Sequence, residues 1–209
     1  MNFWIILIYI VIIVMSMVVH EMAHAFASNK LGDDTAKLYN RLSLNPLRHI
    51  DPFMTILLPI LLVISGAPVF GGAKPVLVNK RKLKYGDWGM AIVAMAGPLA
   101  NLLLSFLFYA LAWCFTKLEL IPLVNVLMIV VIVNLGFFLF NILPIVPLDG
   151  SRLLYAFAPS RFQDLMDRFE HYGIWIIFGL VLIAQPYLFA YISSSVGFFL
   201  RLYSRIFVL

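Results

Sequence analysis

The sequence predicts an all-α integral membrane protein, a polytopic helix bundle, on three observations. Of its 209 residues 63% are hydrophobic and only 12% are charged, about half the charged share of ordinary soluble domains. The apolar residues gather in long runs, at 3–19, 53–69, 90–115, 121–143 and 174–200, and a run of about 18 crosses ~30 Å of hydrocarbon as a helix. No stretch is polar enough to supply the amphipathic surface helices that a soluble protein would need to cover such a core.

The elements follow in order. A first helix runs from residue 3 to about 27, apolar until His20 and polar directly after. It lacks the basic leader and small-residue cleavage site of a secretory signal, so it is expected to be retained. Residues 28–52 hold Gly32, Asp33, Asp34, Asn40, Asn45, Pro46 and Pro52, a loop composition with room for one short turn of helix. Residues 53–69 are apolar but interrupted by Pro59 and closed by Gly66 and Pro68. Gly71 and Gly72 then lead into a short extended segment, 73–78, followed by a basic cluster at 80–84. Helices are expected at 88–115 and 123–143. Between them and the next polar stretch, Pro144 and Pro147 forbid regular helix throughout 144–150. An amphipathic stretch, 151–172, precedes a last apolar region that Pro186 divides. The segments outside the spans are each too short for a domain of their own, so a single domain over 1–209 is expected, without a fused PDZ-type or nucleotide-binding module.

The net charge of +5 does not read as nucleic-acid binding. Its basic residues sit in loops beside spans, where positive-inside bias and contact with anionic headgroups are the ordinary causes. The single Cys114 lies inside an apolar run, so no intrachain disulfide forms.

The chemistry gathers at His20-Glu21-Met22-Ala23-His24. Residues four apart share a helix face, so both imidazoles can reach one metal ion. Glu21 is then placed to take a proton from water at the metal instead of ligating it. Ionisable groups at the end of an apolar helix cost about 2.5–3.5 kcal/mol each on insertion scales, so a cluster of them needs a reason. A site with two histidines needs a third protein ligand and an open position. His49, Asp51, Asp87, Asp149, Glu170 and His171 are candidates by residue type. Asp149 is best placed, because it follows a long apolar helix where Pro144, Pro147 and Gly150 unwind the backbone, and such backbone at membrane depth lines buried or polar space. A plain Asp-Gly turn is the competing reading.

His20-Glu21-Met22-Ala23-His24, taken with Asn141-Ile142-Leu143-Pro144-Ile145-Val146-Pro147-Leu148-Asp149-Gly150, resembles the paired signature of the site-2 protease family of intramembrane zinc metalloproteases. Gly97-Pro98-Leu99-Ala100-Asn101 resembles a further family motif, and the stretches at 45–52 and 72–76 resemble the compact branch without a PDZ domain. The likeness runs from residue 20 to about 154. It implies one Zn2+ per chain held by His20, His24 and Asp149 in a three-helix core, with Glu21 as general base and acid. It puts Asn141 beside the site, toward the peptide oxyanion or the substrate strand. The catalytic core would be about 3–154 and the C-terminal helices 155–209. The implied partner is the transmembrane segment of a single-pass membrane protein, with the lipid bilayer around both, and cleavage would proceed by zinc-activated attack of water. A non-catalytic membrane zinc-binding or scaffolding protein is the alternative; Glu21 speaks against it, since a structural zinc site fills its fourth position and needs no base. Asn101 and Asn134 read as helix-to-helix contacts, as polar side chains in spans usually are. His49 and Asp51 read as turn residues and His171 as solvated.

If one ion joins His24 and Asp149, the helices ending near them run parallel, with 88–115 antiparallel between. Residues 53–69 then cannot cross, and are expected to form a re-entrant or surface-lying hairpin. This arrangement gathers 12 of the 15 lysines and arginines on one side, which the positive-inside rule makes cytoplasmic in a prokaryotic cell membrane.

Overall fold

The computed structural model describes residues 3–57 and 72–207. Three helices in it are long and apolar enough to cross a membrane: α1 (Phe3–Lys30), α3 (Gly86–Lys117) and α4 (Ile121–Asn141). At 1.5 Å per residue they measure about 42, 48 and 32 Å, so α3 extends past the hydrocarbon while α4 just spans it. Each starts or stops where the sequence allows. Helix α1 ends at Gly32, whose φ of +102° suits a residue without a β-carbon, and Asp33 N–H returns to Ser28 O at 3.0 Å, the closing bond of a glycine C-cap. Helix α4 begins with Pro122 in its first turn, where a missing N–H costs nothing.

α3 lies between α1 and α4 and packs most extensively against those two. Many side chains on the other faces stay exposed, among them Ile10, Leu103 and Ile132. In lipid those faces are covered by acyl chains, since hydrocarbon is as apolar as the side chains themselves.

The connection after α1 holds a single turn, α2 (Thr35–Leu38), a tight 3-10 turn at Pro46–Arg48 and a wider π-helical segment at Pro52–Leu57. It is fastened to the segment before α3. Asp33, fully buried, accepts Asn79 N–H at 2.6 Å. Lys84 N–H reaches Leu31 O at 2.9 Å, and Lys82 pairs with Asp34 at 2.6 Å, holding the Asp34 carboxyl below its ordinary pKa. Residues 72–79 carry neither helix nor strand pairing. Residues 58–71, on which the expected hairpin falls, lie outside the described residues. Their two flanks meet nonetheless: the Thr55 hydroxyl donates to Gly72 O at 2.6 Å, and Lys74 N–H to His49 O at 2.8 Å.

Beyond α4 the structure splits the amphipathic stretch in two and divides the last apolar region as Pro186 leads one to expect. The stretch 151–172 is two helices, α5 (Asp149–Phe157) and α6 (Ser160–Glu170), because Pro159 cannot continue α5. Asp149 and Gly150 belong to the first turn of α5, so the irregular backbone is confined to 142–148. The last apolar region is α7 (Gly173–Ile183) and α8 (Gln185–Phe207), which meet at 82°. α8 closes the bundle: Tyr203 packs on Val131 and Leu135, and its hydroxyl meets Ser105 Oγ at 2.9 Å.

Candidate metal centre

His20 and His24 lie one turn apart near the end of α1 and point the same way, toward α3. Their Nε2 atoms are 3.0 Å apart. Asp149, at the start of α5, brings Oδ2 to 3.2 Å from His20 Nε2 and 3.4 Å from His24 Nε2. Among the described residues this is the one group of His, Cys, Asp and Glu that converges closely enough to hold a metal ion. Both imidazoles are buried, with 6% and 8% of their residues' surface exposed.

The arrangement rests on three close approaches. Gly97 of α3 faces the rings, and a β-carbon there would stand 2.4 Å from His24 Nε2 and 2.7 Å from His20 Cε1. Gly150 lets the start of α5 sit on the end of α4, where a β-carbon would come within 2.1 Å of Ile142 O. Phe137 of α4 lies beside His20, ring centroids 6.4 Å apart.

The donor set fits zinc. His24 Nδ1 donates to Val93 O at 2.8 Å, and His20 Nδ1 to Asn101 Oδ1 at 2.6 Å. A carbonyl oxygen only accepts, so the proton of each ring sits on Nδ1 and Nε2 presents a lone pair. Two such lone pairs and a carboxylate oxygen therefore face one point, an arrangement that a cation relieves. Ligand atoms around a tetrahedral Zn2+ at ~2.0–2.1 Å stand ~3.3–3.4 Å apart, close to the spacings found here.

Glu21 shares the helical turn but turns elsewhere: its Oε2 accepts Val76 N–H at 3.2 Å. This ties the non-helical segment 72–79 to the edge of the site. Asn141 ends α4, one turn beyond Phe137, and its Nδ2 donates back to Phe137 O at 2.9 Å. His49 is fully buried beneath the 40–52 loop with Nε2 against Ser43 O, and His171 is exposed on Asp167 O. The structure thus brings together His20, His24 and Asp149, sets Glu21 beside them, and leaves His49 and His171 apart. Sequence reasoning missed the part played by Gly97, Val93 and Asn101. Gly97 and Asn101 lie in the stretch that resembles a family motif, and Asn101 is in addition an amide inside a span, which must find a partner; Val93 left no signal.

The chain is 37% identical over 209 residues to YwhC of Bacillus subtilis, covering 95% of this chain and 91% of that one. It is 28% identical over 176 residues to Rip2 of Mycolicibacterium smegmatis and 29% over 180 residues to Rip2 of Mycobacterium tuberculosis. These alignments cover 82% of this chain and 64% of the Rip2 proteins. All three relatives carry the provisional name of zinc metalloprotease. No family model and no solved structure matches.

Proposed function

Because the chain belongs to the site-2 protease family of zinc metalloproteases, we propose that it is an intramembrane endopeptidase whose zinc ligands are His20, His24 and Asp149. The observation that carries this reading is the convergence within 3.4 Å of His20 and His24 near the end of α1 and Asp149 at the start of α5, with the Glu21 carboxylate beside them. Zinc supplies Lewis acidity, which polarises a carbonyl and acidifies water.

The chain's own groups do the rest. Glu21 takes a proton from the attacking water and returns it to the leaving amine nitrogen. Its hydrogen bond from Val76 aims the carboxylate without neutralising it. Asn141 swings from Phe137 O to donate to the developing oxyanion. Buried helix packing around the imidazoles keeps bulk water out, so each of these interactions acts in a low dielectric.

The substrate is the transmembrane segment of a single-pass membrane protein. A helical segment has its carbonyls occupied and must open locally before attack. The 72–79 segment offers an extended partner for the opened strand. It is pinned on one side at Lys74 and Val76, and alternation along an extended chain turns Leu77 N–H the other way. The cut lies near the cytoplasmic face, a side assigned from the loop charges.

The test is purified protein with a transmembrane peptide. Cleavage should stop with a strong chelator and return with added Zn2+. Peptide left intact under all three conditions would favour a binding or scaffolding role.

A further inference from the structure

Resting on the reading of His20 as a zinc ligand, we propose that Asn101 is a positioning residue of the metal centre, held in one orientation by a buried chain of amides running through Asn134 to Ser16.

A histidine that ligates through Nε2 must carry its proton on Nδ1, and the partner of Nδ1 decides this. For His24 the partner is the Val93 carbonyl, which cannot donate. For His20 the partner is a side-chain amide, which could present either end. Turned over, the Asn101 amide would point N–H at Nδ1, move the ring proton to Nε2, and put that proton where the metal belongs.

Three helices prevent the turn. Asn101 Nδ2 donates to Asn134 Oδ1 at 2.8 Å and to Ser16 O at 3.3 Å. Asn134 Nδ2 donates in turn to Ser16 Oγ at 2.9 Å and to Val130 O at 2.9 Å. Ser16 O and Val130 O are main-chain carbonyls, so both amides have their N–H ends fixed by groups that only accept. Turning either one would set oxygen against oxygen in a space without water: Asn101 and Asn134 are fully buried and Ser16 is 4% exposed. An unmet amide costs much there, so the chain has one direction. Ser16 and His20 are four residues apart on α1, so it closes through one helical turn.

A helix-to-helix contact alone needs no direction. The Ser105–Tyr203 hydroxyl pair between α3 and α8 is such a contact, since it faces no ligand whichever oxygen donates. The Asn101 chain differs because its last acceptor faces a ligand.

The experiment measures zinc affinity of the purified full chain against a chromogenic chelator, together with the Co2+ absorption spectrum and the thermal unfolding of metal-free protein. Asn101→Leu keeps the volume and removes the acceptor. Its affinity should fall about 10–100-fold, the usual effect of losing a ligand's outer partner, with an altered Co2+ spectrum. Ser105→Ala loses a buried hydrogen bond of the contact kind and should bind zinc as the parent does. The proposal is overturned if Asn101→Leu binds as tightly as Ser105→Ala, or if its Co2+ spectrum is that of the parent. Should Asn101→Leu not fold, Asn134→Leu frees the Asn101 amide to turn; lowered affinity there supports the chain and unchanged affinity overturns it. Failure of the ligand reading would look different: His20→Ala would keep full zinc.

Discussion

Gly97 lies directly under the His24 imidazole, so close that a β-carbon would stand 2.4 Å from Nε2. No side chain fits there without pushing the ring away. Within a helix glycine costs about 1 kcal/mol relative to alanine, and α3 carries that cost where both rings rest on it. Gly97→Ala should therefore crowd the buried rings, at an overpacking cost of about 1–3 kcal/mol that offsets the gain in helix propensity, and zinc content and cleavage should drop sharply. Elemental analysis beside thermal unfolding checks it; normal zinc in a folded Gly97→Ala variant would mean the rings have room that this geometry denies.

Glu21 is separable from the ligands. Glutamine at this position can still accept the Val76 N–H that Glu21 Oε2 accepts at 3.2 Å, yet it cannot take a proton from water. Glu21→Gln is expected to keep full zinc and to lose about 10²–10⁴-fold in cleavage rate, the ordinary size of a general-base contribution. Comparable turnover by that variant, prepared free of parent enzyme, would remove Glu21 from the mechanism.

The convergence of His20, His24 and Asp149 was legible because its signals are local. A repeat of four places His20 and His24 on one face whatever the rest of the chain does, and Pro144, Pro147 and Gly150 announce a break. Local signals do not reveal what crosses between helices. Nothing in the sequence near Val93 says that its carbonyl receives His24 Nδ1. Asn101 and Asn134 advertise a need for partners but not their identity, and a contact role was the fair reading without coordinates. Pro186 predicts an interruption, whereas the 82° between α7 and α8 depends on how α8 packs against α4 through Tyr203. The split at Pro159 was legible and passed over, because the amphipathic pattern of 151–172 continues across it.

Asp149 depends on its neighbour. Gly150 sits against the last carbonyls of α4, and a β-carbon would lie 2.1 Å from Ile142 O and 2.7 Å from Leu143 O. Asp149→Ala removes one of the three proposed ligands and should deplete zinc, as should His20→Ala. Gly150→Ala keeps every ligand yet must shift the start of α5, so it should deplete zinc as well. Full occupancy in Asp149→Ala would move the third ligand elsewhere. Full occupancy in Gly150→Ala alone would show that α5 can adjust without losing Asp149.

The flanks of residues 58–71 predict topology. Thr55 touches Gly72 and His49 touches Lys74, while Asp33 at the end of α1 holds Asn79. The chain therefore returns to the face it left, and the loops before and after that segment share one side. By the charge of the basic loops, the proposed side is the cytoplasmic one. Lys37 and Lys74 are both exposed, so Lys37→Cys and Lys74→Cys, each in a Cys114→Ser background, suit labelling of intact vesicles with a membrane-impermeant reagent. Both should react from the cytoplasmic side only. Labelling of the two positions from opposite sides would require a crossing between them, and that crossing would carry Asp149 away from His20 and His24. Labelling of both from the outer side would keep the zinc site and reverse its orientation in the membrane.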